Sequence, residues 1–174
     1  HASINIQASH RKHHAIIAKT MAQHKSKLSK NPDINTKVVF ITGGAKRIGA
    51  CLAETLHAAG MDVVIHFHTS AKPARALQKK LNRQREHSCG VIQRDLCKFH
   101  ELSSLIEEAV KQMGRLDVLI NNASAFFPTP LGSSSEQDWD TVFDTNLKAP
   151  YFLTQAAASH LRQNQGCVIN IIDI

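Results

Sequence analysis

Apolar runs alternate with amphipathic segments along most of this chain, from position 37 to position 174. The runs VVFI, DVVIHF, VLI and CVINII are rich in β-branched residues and do not alternate strictly with polar ones. Such runs are typical of parallel strands that are covered on both faces. The pattern predicts strands at 37–42, 62–67, 90–94, 116–121 and 167–172, and helices at 46–59, 71–86, 99–113 and 135–163, the last of them interrupted.

This order of elements predicts an α/β fold, a Rossmann-type doubly wound parallel sheet, because right-handed crossovers place helices on both faces. Gly60, Gly114 and Gly166 each follow a helical segment and precede a strand, as expected of glycines that end helices. Ser133-x-x-Glu136 predicts a capping box at the start of the last helix. We expect the ligand cleft at the carboxyl ends of the strands, lined by residues 43–47, 66–70, 95, 121–127 and 173.

Charge is distributed unevenly along the chain. The net charge is +7, and residues 1–36 carry six basic side chains against one acidic, whereas residues 37–174 carry 15 against 13. We therefore expect a basic, disordered extension at 1–36 and one domain at 37–174. The extension has no long apolar stretch and no interleaved aromatic residues, so we expect neither a membrane nor a nucleic-acid partner. A non-catalytic nucleotide-binding or interaction protein is kept as an alternative.

The cysteines give information about the cellular compartment. Cys51, Cys89, Cys97 and Cys167 form no C-x-x-C pair, and three of them fall within or beside apolar segments. We expect reduced, mostly buried thiols, which favours a reducing compartment and a cytoplasmic location. No His or Cys cluster has the spacing of a structural metal site, so no metal is predicted.

The most informative stretch is KVVFITGGAKRIG, residues 37–49, where a strand breaks into a glycine-rich turn that opens into a helix. Such a turn lets the backbone approach a pyrophosphate, while the helix N–H groups and dipole receive its charge. The turn also carries Lys46 and Arg47. Cations oppose the dipole at a helix start unless an anion is bound, so we expect a phosphate there. The alternative is a solvated helix start.

Four motifs in this order and spacing resemble the short-chain dehydrogenase/reductase family: TGGAKRIG at 42–49, Asp95-Leu96, LDVLINNA at 116–123, and Asn146. Arg47 replaces the middle glycine of the usual pattern. This variant and the segment NASAFFPTPL, residues 122–131, are similar to those of pteridine reductases. The resemblance covers residues 37–174 and implies NADPH-dependent hydride transfer to a small pterin substrate. A reductase of another carbonyl substrate is the alternative.

The cofactor preference can also be argued from the residues. NAD-preferring enzymes usually carry an acidic residue after the second strand, but residues 65–70, IHFHTS, contain no carboxylate. His66 and Ser70 instead offer donors or positive charge, although Thr69 stands where related reductases often have arginine. NADPH is therefore predicted. The resemblance assigns Asp95 to the adenine amine, with helix capping as its alternative role. The predicted cofactor-binding residues are Gly43, Lys46, Arg47, Ile48, Gly49, His66, His68, Ser70, Asp95, Leu96, Asn122, Ala123 and Ser124.

The resemblance also implies the substrate and catalytic residues. It places the pterin ring on Phe126, with Ser124 in the same pocket; alternatively, Phe126 and Phe127 pack within their own loop. Asp173 stands where most members carry the catalytic serine and is implied to assist proton delivery beside a tyrosine, with strand-end capping as the alternative. Asn146 is implied to stabilise the active-site helix and a proton-relay water.

The family's Tyr-x-x-x-Lys pair, which supplies a proton and orients the ribose, does not occur in this sequence. The single tyrosine, Tyr151, is followed at the fourth place by Gln155. We therefore expect the natural protein to continue with further strands and helices and to form a homo-oligomer at full length. We expect the 174-residue chain alone to be inactive.

Overall fold

The computed structural model describes residues 37–172, so the predicted extension at 1–36 and Asp173 lie outside the described residues. The strands are β1 (Val38–Ile41), β2 (Asp62–Phe67), β3 (Cys89–Gln93), β4 (Val118–Asn121) and β5 (Cys167–Asn170). The α-helices are α1 (Arg47–Ala58), α2 (Ala71–Gln84), α3 (Leu102–Met113), α4 (Glu136–Phe143) and α5 (Ala149–Gln163). A 3-10 turn at Phe99–Glu101 precedes α3.

The five strands form one parallel sheet in the order β3-β2-β1-β4-β5. The central strand is β1, in which Val39 lies opposite Val63 of β2 and Val118 of β4. The chain therefore winds in one direction from β1 to β3 and in the other from β1 to β5. This arrangement confirms the predicted doubly wound parallel sheet, and it places the topological switch point between β1 and β4.

Two hydrophobic cores cover the two faces of the sheet. Alternate strand residues such as Phe40, Val64 and Leu119 pack with α3 and α5 on one face. Their sequence neighbours Ile41 and Ile65 pack with α1 and α2 on the other. All four residues of β1 are buried. Burial on both faces explains why the strand sequences show apolar runs rather than alternation.

Asp117 fixes the amino-terminal edge of the sheet. Its carboxylate accepts a hydrogen bond from the Val38 N–H at 2.8 Å and is paired with the Arg115 guanidinium at 2.8 and 2.6 Å. The Asp117 carbonyl accepts from the Cys167 N–H at 2.9 Å. The side chain and backbone of Asp117 therefore anchor the beginnings of β1 and β5.

The helix ends differ in part from the prediction. Gly60 and Gly114 have φ of 111° and 80°, as predicted for glycines that end helices. Gly166 does not, because the left-handed residue after α5 is Gln165, with φ of 52°. Glycine is required at 166 for another reason: a Cβ there would lie 2.1 Å from the carbonyl oxygen of Asp117.

The interruption predicted within residues 135–163 is a π turn at Asp144–Lys148, which joins α4 to α5. Some boundaries are shorter than predicted: α2 ends at Gln84 and β5 ends at Asn170. Helix and strand ends are the parts of a fold that sequence patterns define least well, because the terminal hydrogen bonds depend on tertiary contacts.

The predicted capping box was assigned to the wrong serine. Ser135 is the N-cap of α4: its hydroxyl accepts from the Asp138 N–H at 3.1 Å, and the Asp138 carboxylate accepts from the Ser135 N–H at 2.9 Å. The hydrogen bonds that the Asp138 carboxylate accepts from the Ser135 N–H and hydroxyl lower the pKa of the Asp138 carboxyl. Ser133 instead donates to the carbonyl of Pro130 within the preceding turn. Aspartate thus takes the place of the glutamate that the usual motif carries.

The expectation that the cysteines are mostly buried is wrong for two of the four. Cys89 is buried and Cys51 is half-buried, whereas Cys97 and Cys167 are exposed. Burial raises the pKa of the Cys89 thiol to about 12, so this group is uncharged at neutral pH. Cys167 is exposed because it begins β5, the outer strand of the described sheet.

Ser133 and Ser135, both of which precede α4, allow a direct test of the cap. We expect Ser135→Ala to lower the free energy of unfolding by about 1 kcal/mol, because the Asp138 N–H loses its acceptor. Ser133→Ala is the matched control and is expected to change it by less than about 0.5 kcal/mol. Urea unfolding followed by circular dichroism measures both. An equal loss in the two variants would contradict the assignment of the cap.

Candidate functional site

The glycine-rich turn between β1 and α1 folds tightly over the end of the sheet. Gly43 has φ of 62°, in the left-handed region. A Cβ at Gly49 would lie 2.5 Å from the Gly43 carbonyl oxygen and 2.7 Å from the Asn122 side-chain nitrogen. No side chain fits at such distances, so the sequence must carry glycine at 49. The first turn of α1 therefore lies directly against the turn that precedes it.

Thr42 ties this turn to the end of β4. Its hydroxyl accepts hydrogen bonds from the N–H groups of Asn122 and Ala123, at 2.9 and 3.0 Å. In return, the Asn122 side chain donates to the carbonyls of Thr42 and Gly43, at 2.9 and 3.3 Å. The Asn122 side chain therefore holds the turn. The sequence interpretation did not single out Thr42, although a threonine that ends a buried strand before glycine was a usable signal.

His66 lies beneath the turn, on β2, with 2% of its surface exposed. Its Nδ1 accepts from the Gly43 N–H at 3.3 Å, its Nε2–H donates to the Arg94 carbonyl at 2.9 Å, and its own carbonyl accepts from the Gly44 N–H. Burial lowers the pKa of His66 to about 4. The positive charge expected at this position is therefore absent at neutral pH, and both ring nitrogens already have partners.

Two cations lie at the start of α1. Lys46 is the N-cap residue, and both Lys46 and Arg47 are exposed. Arg47 has φ of 50°, a left-handed conformation that costs a residue with a side chain about 1–2 kcal/mol. The first turn of α1 contains no acidic residue. The N–H groups of a first helical turn lack intrahelical partners, so this end of α1 combines a positive dipole with two positive side chains.

The loop after β2 lies at the same carboxyl edge of the sheet as the glycine-rich turn. His68 and Thr69 are exposed, and Ser70 is the N-cap residue of α2. The Gln93 side chain donates to the His68 carbonyl at 2.9 Å and so ties the loop to the end of β3. After β3, the Asp95 carboxylate accepts from the Cys97 N–H at 3.0 Å. This local contact is not the helix cap of the alternative, because the N-cap residue of the following 3-10 turn is Lys98. Leu96 is buried.

A cleft of about 410 Å³ opens between the ends of β4 and β5 and the start of α5. Ser124 and Asn146, both predicted site residues, line it together. Phe126 is not among its lining residues, and 81% of the Phe126 surface is exposed. The sequence interpretation missed Tyr151 and Thr154, which line the cleft from α5. Tyr151 and Thr154 are three residues apart on the helix that follows Asn146, so they share one helix face. This spacing could have identified them from the sequence.

Asn146 lies in the π turn and braces the loop after β4. Its side-chain nitrogen donates to the Ala125 carbonyl at 2.9 Å, and its side-chain oxygen accepts from the Ala125 N–H at 2.8 Å. Local π turns within α-helices occur frequently at functional sites, because they reorient one side chain. Here the reoriented side chain fixes the backbone between Ser124 and Phe126.

A pair of asparagines, Asn121 and Asn170, lines the cleft at the ends of β4 and β5. The Asn121 side-chain nitrogen donates to the side-chain oxygen of Asn170 at 2.8 Å. Asn121 is 3% exposed, and its side-chain oxygen has no hydrogen-bond partner among the described residues. The sequence interpretation did not predict a role for Asn170, which lies on β5 opposite Asn121.

The structure therefore brings most of the predicted residues to one edge of the sheet. The glycine turn, the β2–α2 loop, Asp95 and the cleft all follow the carboxyl ends of their strands. Within residues 37–172, no three His, Cys, Asp or Glu side chains gather as a metal site would require. No helix in that same range is both long and apolar enough to cross a membrane.

The strand order, the glycine-rich turn after the first strand and the cleft beside the switch point define a Rossmann-type α/β domain. A family model described as short chain dehydrogenase matches residues 37–173. The chain belongs to the short-chain dehydrogenase/reductase family, as its motifs indicated.

Curated relatives agree with this assignment. The chain is 34% identical to pteridine reductase 1 of Leishmania tarentolae, in a match covering 78% of this chain and 60% of that protein. It is 34% identical to the 3-oxoacyl-[acyl-carrier-protein] reductase FabG of Staphylococcus aureus, over 80% of this chain and 56% of that protein. It is 32% identical to the hydroxynaphthalene reductase-like protein Arp2 of Metarhizium guizhouense, over 76% and 49%. The chain thus spans about half to three fifths of the length of these relatives.

Thr42 offers a test of the link between the turn and β4. We expect Thr42→Val to lower the free energy of unfolding by roughly 2–4 kcal/mol, because the Asn122 and Ala123 N–H groups both lose their acceptor. Thr42→Ser retains the hydroxyl and is expected to lose less than half as much. Chemical unfolding measures both variants. A Val variant as stable as the Ser variant would show that the hydroxyl does not hold the two segments together.

Proposed function

We propose that this chain forms the cofactor-binding part of an NADPH-dependent pteridine reductase, which transfers hydride from NADPH to a pterin ring. The observation that carries the proposal is Arg47, a cation held in a left-handed backbone conformation where the family usually has glycine. A strained residue that a fold retains at a candidate site indicates function. The cation lies where a phosphate-binding turn meets a helix N-terminus.

Three observations support NADPH as the cofactor. The required glycine at 49 keeps the backbone of the turn free of side chains where a pyrophosphate would approach. Lys46 and Arg47 add positive charge at the start of α1, and residues 65–70 add no carboxylate that would repel a 2′-phosphate. The bound cofactor would supply the hydride.

Each part of the cofactor has candidate residues in this chain. The N–H groups at the start of α1, including those of Ile48 and Gly49, would hold the pyrophosphate. Arg47, His68 and Ser70 would surround the 2′-phosphate. Residues 95–96 would border the adenine, and residues 122–124 would border the nicotinamide ribose, since they follow the ends of β3 and β4.

The loop after β4 supports a planar aromatic substrate. Phe126 presents an exposed ring beside the backbone that Asn146 fixes, and Ser124 contributes a hydroxyl to the cleft. An exposed aromatic ring on a braced loop suits stacking on a flat heterocycle. Asp173 would then assist protonation at the substrate, together with a tyrosine that this sequence does not contain at the family's spacing.

A reductase of another carbonyl substrate is the second candidate, because the chain is as similar to a 3-oxoacyl-[acyl-carrier-protein] reductase as to a pteridine reductase. Steady-state oxidation of NADPH by the full-length protein separates the two. Turnover with dihydrobiopterin and none with a 3-oxoacyl thioester supports the pterin assignment. The reverse result rejects it.

Arg47 allows a test of the cofactor preference. We expect Arg47→Gly to weaken NADPH binding about 10- to 150-fold while NADH binding changes little, because one charge-assisted hydrogen bond to the 2′-phosphate is lost. Arg47→Lys keeps the charge and is expected to retain part of the preference. Isothermal titration with both cofactors measures the effect. Equal losses for NADPH and NADH would show that Arg47 does not recognise the 2′-phosphate.

Phe126 allows a test of the substrate class. We expect Phe126→Ala to weaken dihydrobiopterin binding by about 5- to 150-fold, the usual value of stacking on an aromatic side chain. Leu131→Ala, at another exposed apolar residue of the same loop, is the control and should leave binding unchanged. Fluorescence titration of the full-length protein saturated with NADP⁺, which cannot donate hydride to the substrate, measures both. Similar effects of the two substitutions would argue against stacking at Phe126.

A further inference from the structure

A buried histidine beneath the glycine turn has no part in the cofactor contacts proposed above. His66 contacts the turn twice: its ring accepts from the Gly43 N–H and its carbonyl accepts from the Gly44 N–H. The N–H groups of Gly43 and Gly44 are therefore both bound by one residue. The later N–H groups, at the start of α1, are left to face a ligand.

The partners of the ring fix its tautomer. A backbone N–H can only donate and a carbonyl can only accept, so Nδ1 must carry the lone pair toward Gly43 and Nε2 must carry the proton toward Arg94. The charged or titratable groups whose charges act on the ring are His68, Arg94 and Asp95. Burial outweighs their influence and keeps the pKa of His66 well below neutrality, so the neutral tautomer is the working form.

We propose that His66 is a positioning residue for the cofactor: its Nδ1 acceptor holds the Gly43 N–H toward the sheet and so sets the turn that receives the pyrophosphate. This inference rests on the proposed NADPH binding. The Asn122 side chain binds the Thr42 and Gly43 carbonyls, whereas His66 Nδ1 binds the Gly43 N–H, so the two residues hold different groups of the turn. A small rotation of the Gly43 peptide would redirect the N–H and displace the start of α1, against which the turn lies.

Two substitutions separate the functions of the two ring nitrogens. Asparagine places its amide near the position of Nδ1, and its oxygen can accept from Gly43; glutamine reaches the position of Nε2 and can donate to the Arg94 carbonyl. We expect His66→Gln to raise the Kd for NADPH about tenfold, the loss of one supporting hydrogen bond, and His66→Asn to stay within about threefold of the wild type. If His66 served only the stability of the fold, the Gln variant would not bind NADPH more weakly than the Asn variant.

The experiment is isothermal titration of NADPH into the full-length wild type and both variants, with urea unfolding of each. His57→Asn is the matched control, because His57 is another buried histidine, bonded through Nε2 to Ser88, and asparagine does not reach the Nε2 position. This control should lose stability without losing NADPH affinity. Hydrogen exchange of the Gly43 amide, measured without cofactor, should be faster in His66→Gln than in the wild type and close to wild type in His66→Asn.

Equal NADPH affinities for the two His66 variants, or a weaker Asn variant, would overturn the inference while leaving the cofactor assignment intact. No NADPH binding by the wild type would overturn the cofactor assignment and this role together. If His66→Gln does not fold, ¹⁵N spectra of the wild-type imidazole decide instead: a ring protonated at Nδ1 would overturn the inference, and one protonated at Nε2 with and without NADPH would support it.

Discussion

The hydroxyl group of Thr42 is the contact on which the geometry of the site depends. It receives two N–H groups from the end of β4, about 80 residues away in the sequence, while the Asn122 side chain returns two hydrogen bonds to the turn. The ends of β1 and β4 have no further strand residues to satisfy these groups, so side chains must do so. The glycine turn and one wall of the cleft consequently share a single rigid frame.

The buried groups of the site are neutral and its charged groups are exposed. Beneath the turn lies a neutral histidine, whose burial prevents protonation, and above it lie the two exposed cations at the start of α1. A cation beneath the turn would be costly to bury. The arrangement keeps the backbone support uncharged and presents positive charge only where solvent and ligands reach it.

The sequence predicted the sheet well, because β-branched runs such as those of β1 and β2 reflect burial on both faces, a property of the whole sheet. It also located the turn, the β4 end and Asn146 through spaced motifs. The prediction failed where the role of a residue is decided by contacts with distant parts of the chain. Ser133 and Ser135 are nearly equivalent in sequence, and only the turn at Pro130 decides between them. The partners and neutrality of His66 depend on contacts that cross three strands.

The backbone of Arg47 has a consequence for how this chain can change by mutation. At φ of 50°, glycine would relieve about 1–2 kcal/mol of conformational strain that arginine incurs. A selection for thermal stability would therefore favour glycine at this position, whereas a selection for anion recognition would keep the guanidinium. Under the role proposed for Arg47, the two properties are opposed at one residue, and screening for thermal stability would select for the loss of anion recognition there.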